Sequence, residues 1–279
     1  MNFRQLCISR RTVAVVAGLL GMVSLAIGAH AALNKRALDA AKAIGTEQAG
    51  DAAGKPARLA LVIGNGHYPD ASAPLEQPIN DARALTATLR RSGFDVDVVE
   101  DASKDDMQRA VGRLKSKIKP DSVVMLFFGG FGVQAGRESF MVPVDARIWR
   151  ESDVRREGVS VESVLDTIEE RGARAKLVVI DASRRNPYER RFRSFSHGLA
   201  PINAPDNALI LTSATPGKVA DDSRGPNSVL VSELLNNLNS QAGIESVFNK
   251  TRVSISRASD GAQVPTVSST LVEEVSLGG

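Results

Sequence analysis

The sequence predicts an α/β sandwich, with helices packed on both sides of a mostly parallel sheet, and three observations carry that expectation. From Arg58 onward, short apolar runs alternate with amphipathic stretches of helical period. Two of the runs, Ser122–Phe128 (SVVMLFF) and Lys176–Ile180 (KLVVI), are apolar without alternation, as strands buried on both faces are. The connections are short, which favours strand–helix–strand crossovers and leaves few topologies.

Taken in order, Arg58–Ile63 (RLALVI) is a strand. Asp81–Arg91 places Ala82, Leu85 and Leu89 on one helical face, with Asp81 suited to the N-cap. Phe94–Val99 alternates as a second strand. Lys104–Ile118 sets Met107, Val111, Leu114 and Ile118 in helical register, and Pro120 ends it. The buried run Ser122–Phe128 leads to a hairpin around Gly136, a helix over Val159–Arg171 and the second buried run. Ala208–Thr212 is a further strand, followed by helices over Ser228–Leu238 and Ile244–Ile255. In such sheets, sites form beyond the carboxyl ends of the strands. Gly64–Pro69, Gly129–Gly132 and Asp181–Pro187 fall there.

The chain has 279 residues, 43% of them hydrophobic and 24% charged, which is ordinary globular composition. Its net charge of +3 is local. Arg4, Arg10 and Arg11 are the only charged residues of the first 31, leaving 32 basic against 32 acidic beyond them. That balance does not support a dedicated nucleic-acid binder. Residues 1–31 read as a signal peptide or membrane anchor: Arg10 and Arg11 precede the apolar run Val13–Ala29, and Ala29-His30-Ala31 fits a cleavage site. Ser9-Arg10-Arg11 is also similar to a twin-arginine signal. The expectation is a protein exported to the periplasm or beyond, or tethered in the inner membrane through residues 13–29. Residues 32–57 are an Ala-rich linker, with a short helix near Lys35–Ala43, and residues 58–279 the folded domain. The one cysteine, Cys7, lies in the signal, so the domain has neither disulfide nor thiol nucleophile.

Several segments, in order, resemble the caspase-like peptidases of the metacaspase and orthocaspase group (peptidase C14). Leu61-Val62-Ile63-Gly64-Asn65 with Tyr68 matches the first strand and its turn, and Asn80-Asp81-Ala82 the first helix. Phe128-Gly129-Gly130-Phe131-Gly132 stands where the family has Tyr-Ser/Ala-Gly-His-Gly. Val142-Pro143-Val144-Asp145 matches Leu-Pro-Val-Asp. Ile180-Asp181-Ala182-Ser183-Arg184 stands where the family has Leu-Asp-Ala-Cys-Arg, and Asn186-Pro187, Gly198-Leu199-Ala200 and Ala214-Thr215-Pro216-Gly217 continue the match. The resemblance implies a caspase-like three-layer α/β/α sandwich around a mostly parallel sheet of about six strands.

Caspase-type chemistry uses a thiolate nucleophile and a histidine acid/base, with the His about 50 residues upstream of the Cys. The matching positions, Phe131 and Ser183, are 52 apart, so the spacing is kept while both side chains differ. Phe131 cannot transfer a proton, and serine without a base is a poor nucleophile. Beyond the signal the only histidines are His67 and His197. His67 follows the first strand and is the first candidate base for Ser183, ahead of His197 in the Arg-rich loop, with Asp145 or Asp181 to orient it; the bland reading, a surface or loop-packing role, is preferred. The backbone at Gly132 and Ser183 is the candidate oxyanion pocket.

The resemblance further implies a pocket for a basic side chain, lined by Asp181 and by Asp221 or Asp222. The bland alternative is that Asp181 braces its turn and the other two are solvated. Arg184, Arg185, Arg190, Arg191 and Arg193 form an Arg-rich loop, read as solvated or internally paired. Walker A, G-x-G-x-x-G, H-E-x-x-H and EF-hand patterns do not occur, and no cofactor or metal is expected. The expected function is a catalytically inactive caspase-fold protein that binds a peptide or protein partner with exposed Arg or Lys, as regulator or scaffold. The alternatives are a weak serine-dependent hydrolase using Ser183, a caspase-family endopeptidase by homology, and an envelope module with no groove ligand.

Overall fold

The structure, a computed structural model, describes residues 56–69, 74–184, 188, 198–220, 225–238 and 242–277. The signal or anchor at 1–31 and nearly all of the linker lie outside them. Among the described residues no helix is long and apolar enough to cross a membrane.

Six strands form the main sheet: β1 (Arg58–Gly64), β2 (Asp95–Glu100), β3 (Val123–Gly129), β7 (Ala175–Asp181), β8 (Ala208–Thr212) and β9 (Thr266–Ser269). Their order is β2-β1-β3-β7-β8-β9, all parallel except β9, which runs antiparallel to β8. β3 and β7 are buried along their whole length, as their unbroken apolar runs predict.

Alternation along the strands feeds two cores. On one face Val62, Phe127 and Val179 pack with Leu85 and Leu89 of α1 (Gln77–Arg91), Leu234 of α5 (Val229–Leu238) and Phe248 of α6 (Ile244–Ala258). On the other, Leu61, Leu126 and Ile180 pack with Met107 and Leu114 of α2 (Lys104–Lys117) and Leu165 and Ile168 of α4 (Val161–Glu170). Each such fully buried side chain contributes about 1.5–3 kcal/mol over leaving it exposed. This is the three-layer sandwich that the sequence predicts.

A second, three-stranded antiparallel sheet of β4 (Gly132–Ala135), β5 (Glu138–Met141) and β6 (Val159–Ser160) stands beside the carboxyl ends of β3 and β7. The β4–β5 turn is the expected hairpin, and Gly136 sits there at φ +66°, where a side chain is strained. With α3 (Glu151–Glu157), this sheet encloses a third core of Phe131, Val133, Phe140, Val142, Val154, Tyr68 and Tyr188.

One end of α1 differs from expectation. It begins at Gln77, with Glu76 at the N-cap and proline in its first turn, where a missing N–H costs nothing. Asp81 is therefore inside the helix and free to serve elsewhere. At the opposite end of the sheet, Arg58 ties the domain's two ends together. Its Nη1 donates to the carbonyls of Ser92 and Leu277 and its Nη2 to that of Ser276.

Candidate functional site

The carboxyl ends of β1, β3 and β7 lie side by side and are stitched into one rim. Asn65, just past β1, is fully buried and donates its backbone N–H to the Gly129 carbonyl at 2.9 Å. Its side-chain oxygen accepts from Ala102 N at 2.8 Å, and its amide nitrogen donates to the Val142 carbonyl at 3.2 Å. One amide thus joins three loops, which explains the Gly-Asn turn as framework. From the next turn, Gly130 N donates to the Asp181 carbonyl (3.2 Å) and Gly132 N to the Ala182 carbonyl (3.1 Å). A Cβ on Gly132 would lie 2.6 Å from Leu199 Cδ2 and 2.9 Å from the Ala182 oxygen, so only glycine fits between these chains.

Phe131 does not face solvent. It is 7% exposed and meets the Tyr68 ring edge-on, with centroids 4.8 Å apart and planes at 60°. The Tyr68 hydroxyl accepts from Phe131 N at 3.0 Å and donates to the Val142 carbonyl at 3.0 Å. Burial pushes that hydroxyl's pKa far up, so it stays protonated and keeps both bonds. The position after β3 is thus an apolar plug with its backbone satisfied.

Ser183 lies one turn away and is 1% exposed. Its backbone N–H donates to Ser213 Oγ at 3.3 Å and its carbonyl accepts from Ala220 N at 2.7 Å, while its own hydroxyl has no hydrogen-bond partner. The two N–H groups expected to form an oxyanion pocket, those of Gly132 and Ser183, are therefore both engaged within the protein. Asp181, 2% exposed, ends β7, and its Oδ2 stands 3.8 Å from the Arg184 guanidinium. So the expected internal pairing in the Arg-rich segment holds at Arg184, which is itself buried.

The sequence did not reveal the part Asp81 plays. Fully buried on α1, it accepts from Asn227 Nδ2 at 2.8 Å and from Ser228 N at 3.0 Å, while its Oδ2 has no partner. Burial and, second, the charge of Asp181 raise its pKa to about 6, partly offset by the Asn227 and Ser228 hydrogen bonds. Two carboxylates thus share the interior behind the β7 turn. The signal in the sequence was an acid five residues into an amphipathic helix, on the same face as Ala82 and Leu85; the short-range capping pattern hid it.

The remaining candidates separate. His67 is 70% exposed, and its Nδ1 lies 2.6 Å from Asp101 Oδ2, not against Ser183. Although burial works against it, the backbone N–H groups of His67 and Gly66, with the His67 ring, hold the Asp101 carboxyl below its usual range. Asp145 accepts from Lys104 N at 3.0 Å, at the start of α2, where it orients no base. Asp221, Asp222, His197 and the arginines beyond Arg184 lie outside the described residues. Among the described residues, no three His, Cys, Asp or Glu side chains gather as a metal site.

Comparison with known proteins adds independent weight. A family model described as Caspase domain (Peptidase_C14) matches residues 57–276. Mucosa-associated lymphoid tissue lymphoma translocation protein 1 of Homo sapiens is 30% identical over 134 residues, 47% of this chain. Its Mus musculus homolog is 30% identical over 145 residues, 51% of this chain. The matches span only 16% and 17% of those two proteins' lengths.

Proposed function

Because the chain belongs to the caspase-domain family, we propose that it is a caspase-fold protein that works without peptidase chemistry, holding a basic side chain of a peptide or protein partner in the pocket around Asp181. One observation carries this reading: the position after β3 that should move a proton is a phenylalanine built into a closed aromatic pair, and the serine after β7 has a hydroxyl with no hydrogen-bond partner and no base against it among the described residues. Nucleophile and base act as a unit, and losing such a pair removes many orders of magnitude in rate. The acids behave differently. Asp181 and Asp81 are both buried with one carboxylate oxygen each that accepts no hydrogen bond, which favours a cation that brings N–H groups.

The test compares full-length wild type with Phe131→His/Ser183→Cys on peptides with Arg or Lys before the scissile bond. Wild type should show no turnover yet bind the peptides, and Asp181→Asn should abolish that binding. Turnover by wild type that disappears in Ser183→Ala would overturn the reading in favour of a serine hydrolase. In this reading the domain works outside the cytoplasm, a placement supported by Arg10, Arg11 and the apolar run 13–29. Cell fractionation tests it, and recovery of the protein only from the cytosol would overturn it.

A further inference from the structure

We infer that Asn65-Gly66 is a guarded self-modification site: the folded rim holds it inert, and opening of the rim lets Asn65 convert irreversibly to aspartate or isoaspartate, with loss of ammonia to water. The inference stands apart from the reading of the Asp181 pocket and does not need it.

The dipeptide is chemically weak by composition. Asparagine amides are thermolabile, and the next residue decides how readily the backbone nitrogen reaches the amide carbon. Glycine has no side chain to hinder that approach and leaves the backbone freest to make it. Asn65-Gly66 is the only Asn-Gly pair in the 279 residues. In the reaction the Gly66 nitrogen gives its proton to solvent base and attacks Asn65 Cγ. The new N–C bond closes a cyclic imide as the Cγ–Nδ2 bond breaks, and Nδ2 leaves as ammonia. Water then opens the ring at either carbonyl, giving aspartate or isoaspartate.

The fold requires both residues. The Asn65 side chain must accept from Ala102 N and donate to the Val142 and Ala102 carbonyls, at 3.2 and 3.4 Å, which only an amide does. A Cβ on Gly66 would lie 2.4 Å from the Leu75 carbonyl oxygen, so a larger residue has no room. The same contacts form the guard. Gly66 is buried, its N–H donates to Asp101 Oδ1 at 2.9 Å, and its carbonyl accepts from Leu75 N at 2.9 Å and Tyr68 N at 3.2 Å. An N–H held by a carboxylate gives up its proton less readily, because the hydrogen bond stabilises the protonated form. The attacking nitrogen and the target amide are also held by different acceptors, and both must be released before they meet. Conversion is therefore confined to local openings of the rim, at a rate set by the open fraction. The product cannot rebuild what was lost. Aspartate at this position buries a carboxylate against two carbonyls with no N–H to offer them, and isoaspartate also lengthens the main chain.

The experiment incubates the full-length chain at one mildly alkaline pH, native and in urea, and follows Asn65 by peptide mass spectrometry with isoaspartate detection. Native wild type should convert at least about tenfold more slowly than the unfolded chain, in proportion to its open fraction. Native Asp101→Ala, which takes away the acceptor for Gly66 N–H, should convert at least about tenfold faster than native wild type. Asp101→Asn keeps an oxygen there and should stay slow. Equal rates in native and unfolded wild type, no conversion in the unfolded chain, or a native Asp101→Ala as slow as wild type overturns the inference. Should Asp101→Ala fail to fold, wild type in sub-denaturing urea decides: conversion must rise in step with hydrogen exchange at the Gly66 N–H, and conversion that ignores that exchange overturns the guard. The consequence is read from Asn65→Asp, the direct product. Its urea midpoint should fall below that of wild type at neutral pH and recover in part in acid, where the carboxylic acid regains a donor. A midpoint equal to wild type at both pH values overturns the claim that the change is irreversible for the fold.

Discussion

The turns after β3 and β7 run side by side, joined by Gly130 to Asp181 and Gly132 to Ala182, yet their interiors are opposite in kind. The β3 turn is chemically quiet. Phe131 packs on Tyr68, and the tyrosine hydroxyl satisfies both a buried N–H and a buried carbonyl. The β7 turn keeps two buried carboxylates, a buried guanidinium and a hydroxyl with no partner. The first position is settled by packing, whereas the second keeps buried charge with an unfilled acceptor. In the proposed reading such groups form a binding site, since unsatisfied buried polar groups are costly unless a ligand relieves them.

Substitutions can break or sharpen this contrast. The largest effect should come from Asp181→Ala, which removes the carboxylate facing the buried Arg184 charge and should cost about 3–5 kcal/mol in urea unfolding. Next is Asp81, where the sign is set by protonation. Its folded pKa of about 6 lies above the ordinary 3.8, so over that window the folded chain binds more protons than the unfolded one. Stability from this group is therefore present at low pH and lost as pH rises through about 6. Asp81→Asn keeps the acceptor for Ser228 without the charge, and should gain on wild type by on the order of 2–3 kcal/mol between pH 4 and pH 7. Denaturation midpoints at several pH values check this, and a pH-independent difference would place Asp81 outside the electrostatic pair. Tyr68→Phe should cost about 1–2 kcal/mol, because it strands the Phe131 N–H, while the Val142 carbonyl keeps its bond from Asn65 and the ring contact remains. Smallest of all, Ser183→Ala should change stability by no more than about 0.5 kcal/mol, since its hydroxyl makes no hydrogen bond to lose. A cost for Ser183→Ala as large as that for Tyr68→Phe would reveal a partner for the hydroxyl and erase the distinction between the turns.

Much of this was legible in the residues themselves. Strands β1, β3, β7 and β8 announce themselves as apolar runs, and their ends fall within about one residue of expectation, the usual uncertainty at a boundary. The hairpin followed from Gly136. β9 was not legible, because Thr266–Ser269 is short and polar, and the antiparallel edge position asks little of its side chains. The helix α3 was missed for a related reason: Glu151–Glu157 offers one apolar residue, Val154, to define a period. At the site, motif order located Phe131, Asp181 and Ser183, since the first follows β3 and the other two lie at the end of β7. Asp81 lay beyond reach because its partners, Asn227 and Ser228, are 146 and 147 residues away. His67 was placed at the correct edge of the sheet, but a neighbouring acid across the rim, Asp101, takes its ring.

The clamp at Arg58 has a consequence for the layout of the domain. Arg58 begins β1 at the pole where the last described residues also end, and it bonds to them directly. The rim with Phe131 and Ser183 is at the far pole, about 20 Å away along a seven-residue strand. The clamp thus closes one pole of the domain on itself, a full strand's length from the rim.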